Sequence, residues 1–349
     1  MKYPRAMLDR VEGYTPGEQP RETGVIKLNT NENPYPPSPK VIAALSGLGA
    51  EAVRKYPDPL SLAFRRACAK RYGYDGPDWV IAGNGMDELL ALALRTFVDP
   101  GDSVLTCYPT YSLYEVLCAL HGCTIQYVDL DDAYGLPEVF FSTPGRLCFL
   151  ARPNAPSGVC VPRSEVERFC EAFPGIVVID EAYVDFADDH CMDFPKRFEN
   201  AIVMRTFSKS FSLAGMRIGT AVARPELIEA FLKTKDSYNM NTASQAAGLA
   251  AIRDYPYMLK NAARIRATRA RLRQALMERG FQVPDSQSNF LLAHWTGEPD
   301  ARTIFETLAR RKILVRYFKA RRLEDALRIT VGSDSECAAL LSALDEILG

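Results

Sequence analysis

Lys209 stands in the run Thr206-Phe207-Ser208-Lys209-Ser210-Phe211, just past an apolar stretch that reads as a strand. A lysine at the C-terminal end of a strand sits where α/β sheets bind ligands. Shielded from water and close to other cations, such an amine has a lowered pKa and can attack a carbonyl to form a Schiff base. On its own a Ser-Lys dipeptide most often marks a solvated loop. The residues that follow give it a second meaning: Arg217, beyond Gly215, carries a guanidinium fork suited to a phosphate, and Ser208 offers a hydroxyl to the same anion.

Upstream, Ile176-Val177-Val178-Ile179-Asp180-Glu181-Ala182-Tyr183 reads as a buried strand that ends in two acids and a tyrosine, which puts Asp180 at the rim that holds Lys209. A carboxylate there can keep a pyridinium nitrogen protonated and so make the ring an electron sink for a carbanion. Gly83-Asn84-Gly85-Met86-Asp87-Glu88 is a Gly-rich turn opening into an apolar helix. The free N–H groups and the dipole of that helix start form a phosphate cradle, or else an ordinary turn with Asp87 as dipole partner. Asn154, in Arg152-Pro153-Asn154-Ala155-Pro156-Ser157-Gly158, brings an amide that can bond a ring hydroxyl, the alternative being a Pro-Gly turn. Tyr111 follows a further strand, with a ring able to stack on a planar cofactor or to pack in the core.

The elements that must position these groups are legible as alternating apolar runs. Strands are expected over Ser103 to Cys107, Thr124 to Val128, Arg146 to Ala151, Ile176 to Asp180, Ala201 to Phe207 and Ile218 to Ala223, with helical segments between them. That is the pattern of an α/β fold with a mostly parallel sheet covered on both faces. A long basic helix over Asn261 to Arg279 opens a smaller α/β C-terminal domain, with strands at Phe290 to Ala293, Ile313 to Arg316 and Leu327 to Val331 and a helix over Thr303 to Arg311. The division expected is an N-terminal arm over 1–28, packing with the small domain, a large domain over 29–253 and a small one over 254–349.

A chain of 349 residues with 47% hydrophobic content can bury two cores. Lys plus Arg number 42 against 43 acids, so no global field draws it to nucleic acid or an anionic membrane. Nine scattered cysteines without a CxxC pair, and His121, His190 and His294 far from these motifs, predict no metal site. No apolar stretch reads as a signal peptide or a membrane span, which makes the cytoplasm the expected location.

With these residues in view the chain resembles the class I/II pyridoxal-phosphate-dependent aminotransferases of fold type I, and within them the branch that acts on histidinol phosphate. The likeness runs from Leu28-Asn29-Thr30-Asn31-Glu32-Asn33-Pro34-Tyr35 through Tyr56-Pro57-Asp58-Pro59, Gly83 to Glu88, Pro109 to Tyr114, Asp180 to Tyr183 and Ser208 to Gly219 to Leu327-Arg328-Ile329-Thr330-Val331-Gly332. It implies Lys209 as Schiff-base lysine and proton shuttle and Asp180 as partner of the pyridine nitrogen. Asn154 and Tyr183 would contact the ring's phenolic oxygen. Tyr111 would stack on the ring, while Gly85, Met86, Asp87, Ser208 and Arg217 would hold the phosphate. It implies a homodimer in which Tyr56 reaches the neighbouring site, and substrate contacts from Tyr14, Asn33, Arg316 and Arg328.

The implied reaction is a two-step exchange between histidinol phosphate and 2-oxoglutarate, yielding imidazole-acetol phosphate and glutamate. Arg152, Ala155 and Ser157, in place of the usual Asn, Asn and Thr, and Ser212, in place of Gly, depart from the family pattern without touching this chemistry, and Glu18 stands where a lysine is often found. An aromatic amino acid therefore stays open as donor, as do a phospho-amino-acid decarboxylase on the same fold and a cofactor-free α/β binding protein.

Overall fold

The computed structural model describes Tyr3 and residues 5–349, so that within the arm expected over 1–28 Met1, Lys2 and Pro4 lie outside the described residues. The strands, in chain order, are β1 (Ile26–Lys27), β2 (Val80–Asn84), β3 (Ser103–Tyr108), β4 (Thr124–Asp129), β5 (Leu147–Ala151), β6 (Ile176–Asp180), β7 (Ala201–Thr206), β8 (Ile218–Val222), β9 (Phe290–His294), β10 (Ile313–Leu314), β11 (Arg316–Tyr317) and β12 (Ala326–Thr330). Seven of them form one sheet in the order β2-β8-β7-β6-β5-β3-β4.

That sheet is parallel except at β8, which runs antiparallel to both β7 and β2. Its central strands are apolar on both faces because both are covered. Along β6, Val177 and Ile179 enter one buried cluster while Val178 enters the other, and β5 divides Cys148 and Leu150 from Leu147 and Phe149 in the same way. The reversal at β8 places its first residue at the rim where β5, β6 and β7 end. Arg217, which precedes β8, thereby meets the residues that follow the parallel strands.

The second core is smaller. β9, β12 and β11 make an antiparallel sheet, and β1 pairs in parallel with β10. Leu28 lies in the cluster built from β9, β12 and the helices Ala301–Arg310 and Asp334–Leu348, so the N-terminal segment is stitched to this core. The long helix covers Tyr255–Glu278, starting earlier than its periodicity suggests because Pro256 fits the first turn. Met258, Ala262 and Ile265 pack into the large core, whereas Leu272 and Leu276 pack into the small one. One rigid element thus spans both.

The single strand expected over Ile313 to Arg316 is two short ones. Val315 is buried between them, and the chain passes there from pairing with β1 to pairing with β12. The consequence for the site is large: Arg316 becomes the direct cross-strand partner of Arg328.

Candidate active site

A cavity of about 350 Å³ opens over the rim of the seven-stranded sheet, closed on its other side by β11, β12 and the N-terminal segment. Asp180, Tyr183, Ser208, Lys209 and Arg217 line it, as do Met86, Asp87 and Tyr111. Tyr14, Arg316 and Arg328 face them from the opposite side.

Lys209 Nζ donates to the carbonyl of Thr30 at 3.1 Å. Burial pulls its pKa down to about 8, with the Arg328 and Arg217 charges adding to the shift and Glu32 and Asp87 opposing it. Asp180 moves the other way: burial pushes it up to about 6, against the hydrogen bonds that favour its charge. Those bonds come from the Tyr114 hydroxyl at 2.5 Å and the Ala182 N–H at 3.0 Å. Tyr114 is fully buried and stacked on Phe149, so it has a single place to put its proton. Tyr183 accepts from the Asn31 amide at 3.0 Å, and burial raises its phenol.

The anion end is built by backbone geometry. Gly85 takes φ +85°, and a Cβ there would lie 2.6 Å from the Arg217 guanidinium. A Cβ on Gly219 would meet the Met86 nitrogen at 2.7 Å. The start of the helix Met86–Phe97 is thereby seated on β8, and no side chain caps its first N–H groups. Arg217 pairs with Asp87 at 3.0 Å and lies 3.4 Å from the Ser208 hydroxyl. With both members of that pair nearly half exposed, it adds little stability and leaves the guanidinium accessible.

On the far wall two arginines oppose each other across a β ladder, an arrangement that like charges disfavour. Among the described residues neither forms an ion pair. Arg328 donates to the Asn29 carbonyl at 3.0 Å and leaves a buried Nε without a partner; Arg316 donates to the carbonyls of Thr15 and Pro16 at 3.0 and 3.4 Å.

Four expected site residues stand apart from the cavity lining. Gly85 acts through the turn just described. Asn154 is buried beside the lining residues Pro153 and Ala155, donating to the Pro109 carbonyl at 3.2 Å and accepting from Ser157 at 2.9 Å. Asn33 has its amide on the carbonyls of Lys209 and Ser210, both at 3.1 Å, and its oxygen on the Tyr35 N–H. Tyr56 is 80% exposed and stacks on Tyr238 with ring centroids 4.4 Å apart. Among the described residues no group of acids, histidines and cysteines is placed to hold a metal.

A model of the family described as aminotransferase class I and II matches residues 23–344. The chain belongs to that family. Similar proteins include histidinol-phosphate aminotransferase of Microcystis aeruginosa, 44% identical over 345 residues that cover 99% of this chain and 98% of that protein. The protein of the same name from Synechocystis is 44% identical over 347 residues, with coverage of 99% and 98%. The solved structure of the Sinorhizobium meliloti enzyme of that name, in complex with pyridoxal-5'-phosphate, superposes with a TM-score of 0.86 at 28% identity, over 92% of this chain and 90% of that one.

For this class I and II aminotransferase, sequence reasoning missed several groups that the cavity uses. Tyr114 closes the Pro109 to Tyr114 motif, whose likeness assigns it no role, although its hydroxyl is the side-chain partner of Asp180. Thr30 and Asn31, which meet Lys209 and Tyr183, share a segment from which the sequence alone points only to Asn33. Their signal was the density of hydrogen-bonding side chains in Asn29-Thr30-Asn31-Glu32-Asn33, which exceeds what a solvated turn requires.

Proposed function

We propose that this aminotransferase exchanges an amino group between histidinol phosphate and 2-oxoglutarate, forming imidazole-acetol phosphate and glutamate in histidine biosynthesis, with pyridoxal 5'-phosphate as cofactor. The observation that carries the reading is the pairing of Arg316 with Arg328, unneutralised and across one cavity from an amine whose pKa is drawn down to about 8. Such a site takes a substrate that is amine at one end and anion at the other, as both histidinol phosphate and glutamate are. The full-length likeness to histidinol-phosphate aminotransferases supports the choice between them and other donors.

The residues fit the cofactor on their own chemistry. The glycine turn at Gly85, the uncapped helix start, Ser208 and Arg217 converge as a phosphate cradle. Asp180 is a buried acid held by two donors, suited to a ring N–H. When bound, pyridoxal phosphate supplies an aldehyde that joins to an amine and a ring that draws electrons from the adjacent carbon. Lys209 would hold it covalently and, once released, would move the proton at the substrate's α-carbon. An amine with a pKa near the working pH can both accept and return that proton. Tyr111 would stack on the ring, Tyr183 would address its phenolic oxygen, joined by Asn154 once its amide leaves the Pro109 carbonyl, and Arg328 and Arg316, beside Tyr14, would receive the substrate anion, with Asn33 holding the Lys209 loop.

The reading includes a homodimer with Tyr56 contributed to the neighbouring site. In its support, Tyr56, Val53, Leu60 and Tyr238 are large apolar side chains exposed by 80%, 70%, 44% and 46%. It also places the protein in the cytoplasm, for which nine free cysteines, eight of them buried, are the support. Purified protein should form glutamate from histidinol phosphate and 2-oxoglutarate with kcat/KM at least roughly tenfold above that for phenylalanine as donor. Preference for phenylalanine overturns the assignment.

A further inference from the structure

Behind the Lys209 loop, on the side away from the cavity, lies a buried charge cluster that the reaction as described does not use. Arg205, at the end of β7, is 6% exposed, and Glu181 is 1% exposed. Arg205 Nε and Nη2 donate to Glu181 Oε2 at 3.0 and 2.9 Å, and Nη1 donates to Asp185 Oδ1 at 3.2 Å. The other Asp185 oxygen accepts from the Ser210 hydroxyl, and the other Glu181 oxygen accepts from the Cys191 N–H. Two acids on one guanidinium is costly to bury and is kept only where the geometry matters or the pairing is complete.

The connections explain the geometry. Arg205 precedes Lys209 by four residues and Ser210 follows it by one, so the path Arg205–Asp185–Ser210 closes the loop on itself around the lysine. The backbone carbonyls of Lys209 and Ser210 are gripped from the other side by the Asn33 amide. The main chain carrying Lys209 is therefore held on both flanks, and its long side chain is left as the one movable part.

We propose that Asp185 and Ser210, braced by Arg205 and Glu181, are positioning residues that fix the backbone of Lys209 so that its amine reaches the reacting atoms. The inference rests on the reading of Lys209 given above. Loss of the clamp lets the amine wander within the cavity while the cofactor cradle and the arginine wall stay intact. Proton transfer then suffers and substrate affinity does not.

The test uses the cofactor-loaded enzyme with Ser210→Ala, which removes one hydroxyl and leaves the buried charges paired, and Asp185→Asn, which is isosteric. Each should lower kcat on the order of tenfold with KM changed less than about twofold, as misorientation of a reacting group does. The pH midpoint of the visible absorbance of the loaded protein, which reports the surroundings of the Lys209 nitrogen, should move by about half a unit or more. Ser210→Thr, which restores the hydroxyl, should return both toward the parent. If both variants keep the parental kcat and midpoint, whatever happens to their melting temperature, the cluster serves the fold alone and the inference is overturned. A parent protein that takes up pyridoxal phosphate without forming that absorbance would instead bring down the reading of Lys209, and this inference with it.

Discussion

On the floor of the cavity, made by the rim of the seven-stranded sheet, the acids have partners of their own. Asp180 has Tyr114 and the Ala182 N–H, Asp87 has Arg217, and the loop of Lys209 is held by Asn33. On the wall, made by β11, β12 and the N-terminal segment, Arg316 and Arg328 face each other with main-chain carbonyls and the rings of Phe318 and Phe290 for company, and no acid among the described residues pairs with either. Both regions concentrate charge. The floor is nearly complete by itself and can hold a resident group in a set orientation, whereas the wall keeps a positive charge that only an incoming anion neutralises. Substitutions on the floor should accordingly strike the chemical step, and those on the wall the affinity for substrate.

The largest effect is expected at Lys209. Lys209→Ala should lower transamination by about 10³-fold or more, since the proposed attachment and proton transfer both fall to one amine. Parental turnover by that variant would remove the basis of the comparison. A pH dependence follows as well. Only the neutral amine attacks an aldehyde, so the rate of pyridoxal phosphate uptake by cofactor-free protein should rise with pH and reach half its maximum near the lysine's pKa of about 8. Stopped-flow absorbance between pH 6 and 10 would measure it; a rate that is flat across that range contradicts the assigned shift.

Asp180→Asn comes next, and it separates function from stability. Loss of the carboxylate should cut kcat by roughly 10²- to 10³-fold, as removal of a charge poised for the transition state does. In the cofactor-free protein the same change should stabilise the fold. With a folded pKa raised to about 6 from 3.8, Asp180 binds its proton more tightly when folded, so parental stability falls as pH rises through that window and stays reduced above it. Denaturant titration of the cofactor-free variant at pH 7 should show a gain of roughly 2 to 3 kcal/mol, fading as pH falls below the folded pKa. A variant less stable than its parent at pH 7 would mean that the floor's acid is not held at a cost.

Much of this floor was readable from sequence because its residues combine two signals. Asp180, Lys209 and the Gly85 turn each interrupt an apolar run at the point where a strand must end, and each has a side chain or conformation that a solvated loop does not need. The direction of β8 was not readable, since a strand buried on both faces shows the same apolar run whichever way it points. Nor was the opposition of Arg316 and Arg328, which depends on the crossing at buried Val315 and on a pairing between segments separate in sequence. Tyr114, Asp185 and Arg205 were hidden for a different reason. Buried polar partners have no periodicity, and their meaning comes only from the atom each one faces.

The wall supplies the smaller effects. Arg328→Met should raise KM for histidinol phosphate and for glutamate by about 10- to 100-fold, the worth of one or two charge-assisted hydrogen bonds, with kcat changed far less. Stability should hold or improve, because the variant removes a half-buried cation that has no acid beside it and a buried Nε–H without a partner. Arg316→Gln should cost only a few-fold in KM: this guanidinium is half-buried, already bonded to Thr15 and Pro16, and screened by solvent. Steady-state kinetics at two salt concentrations would order the pair, with the Arg316 effect shrinking in high salt and the Arg328 effect persisting. If instead either substitution lowered kcat as steeply as Asp180→Asn while leaving KM alone, the division of labour between floor and wall would fail, and the opposed arginines would have to be counted with the chemistry.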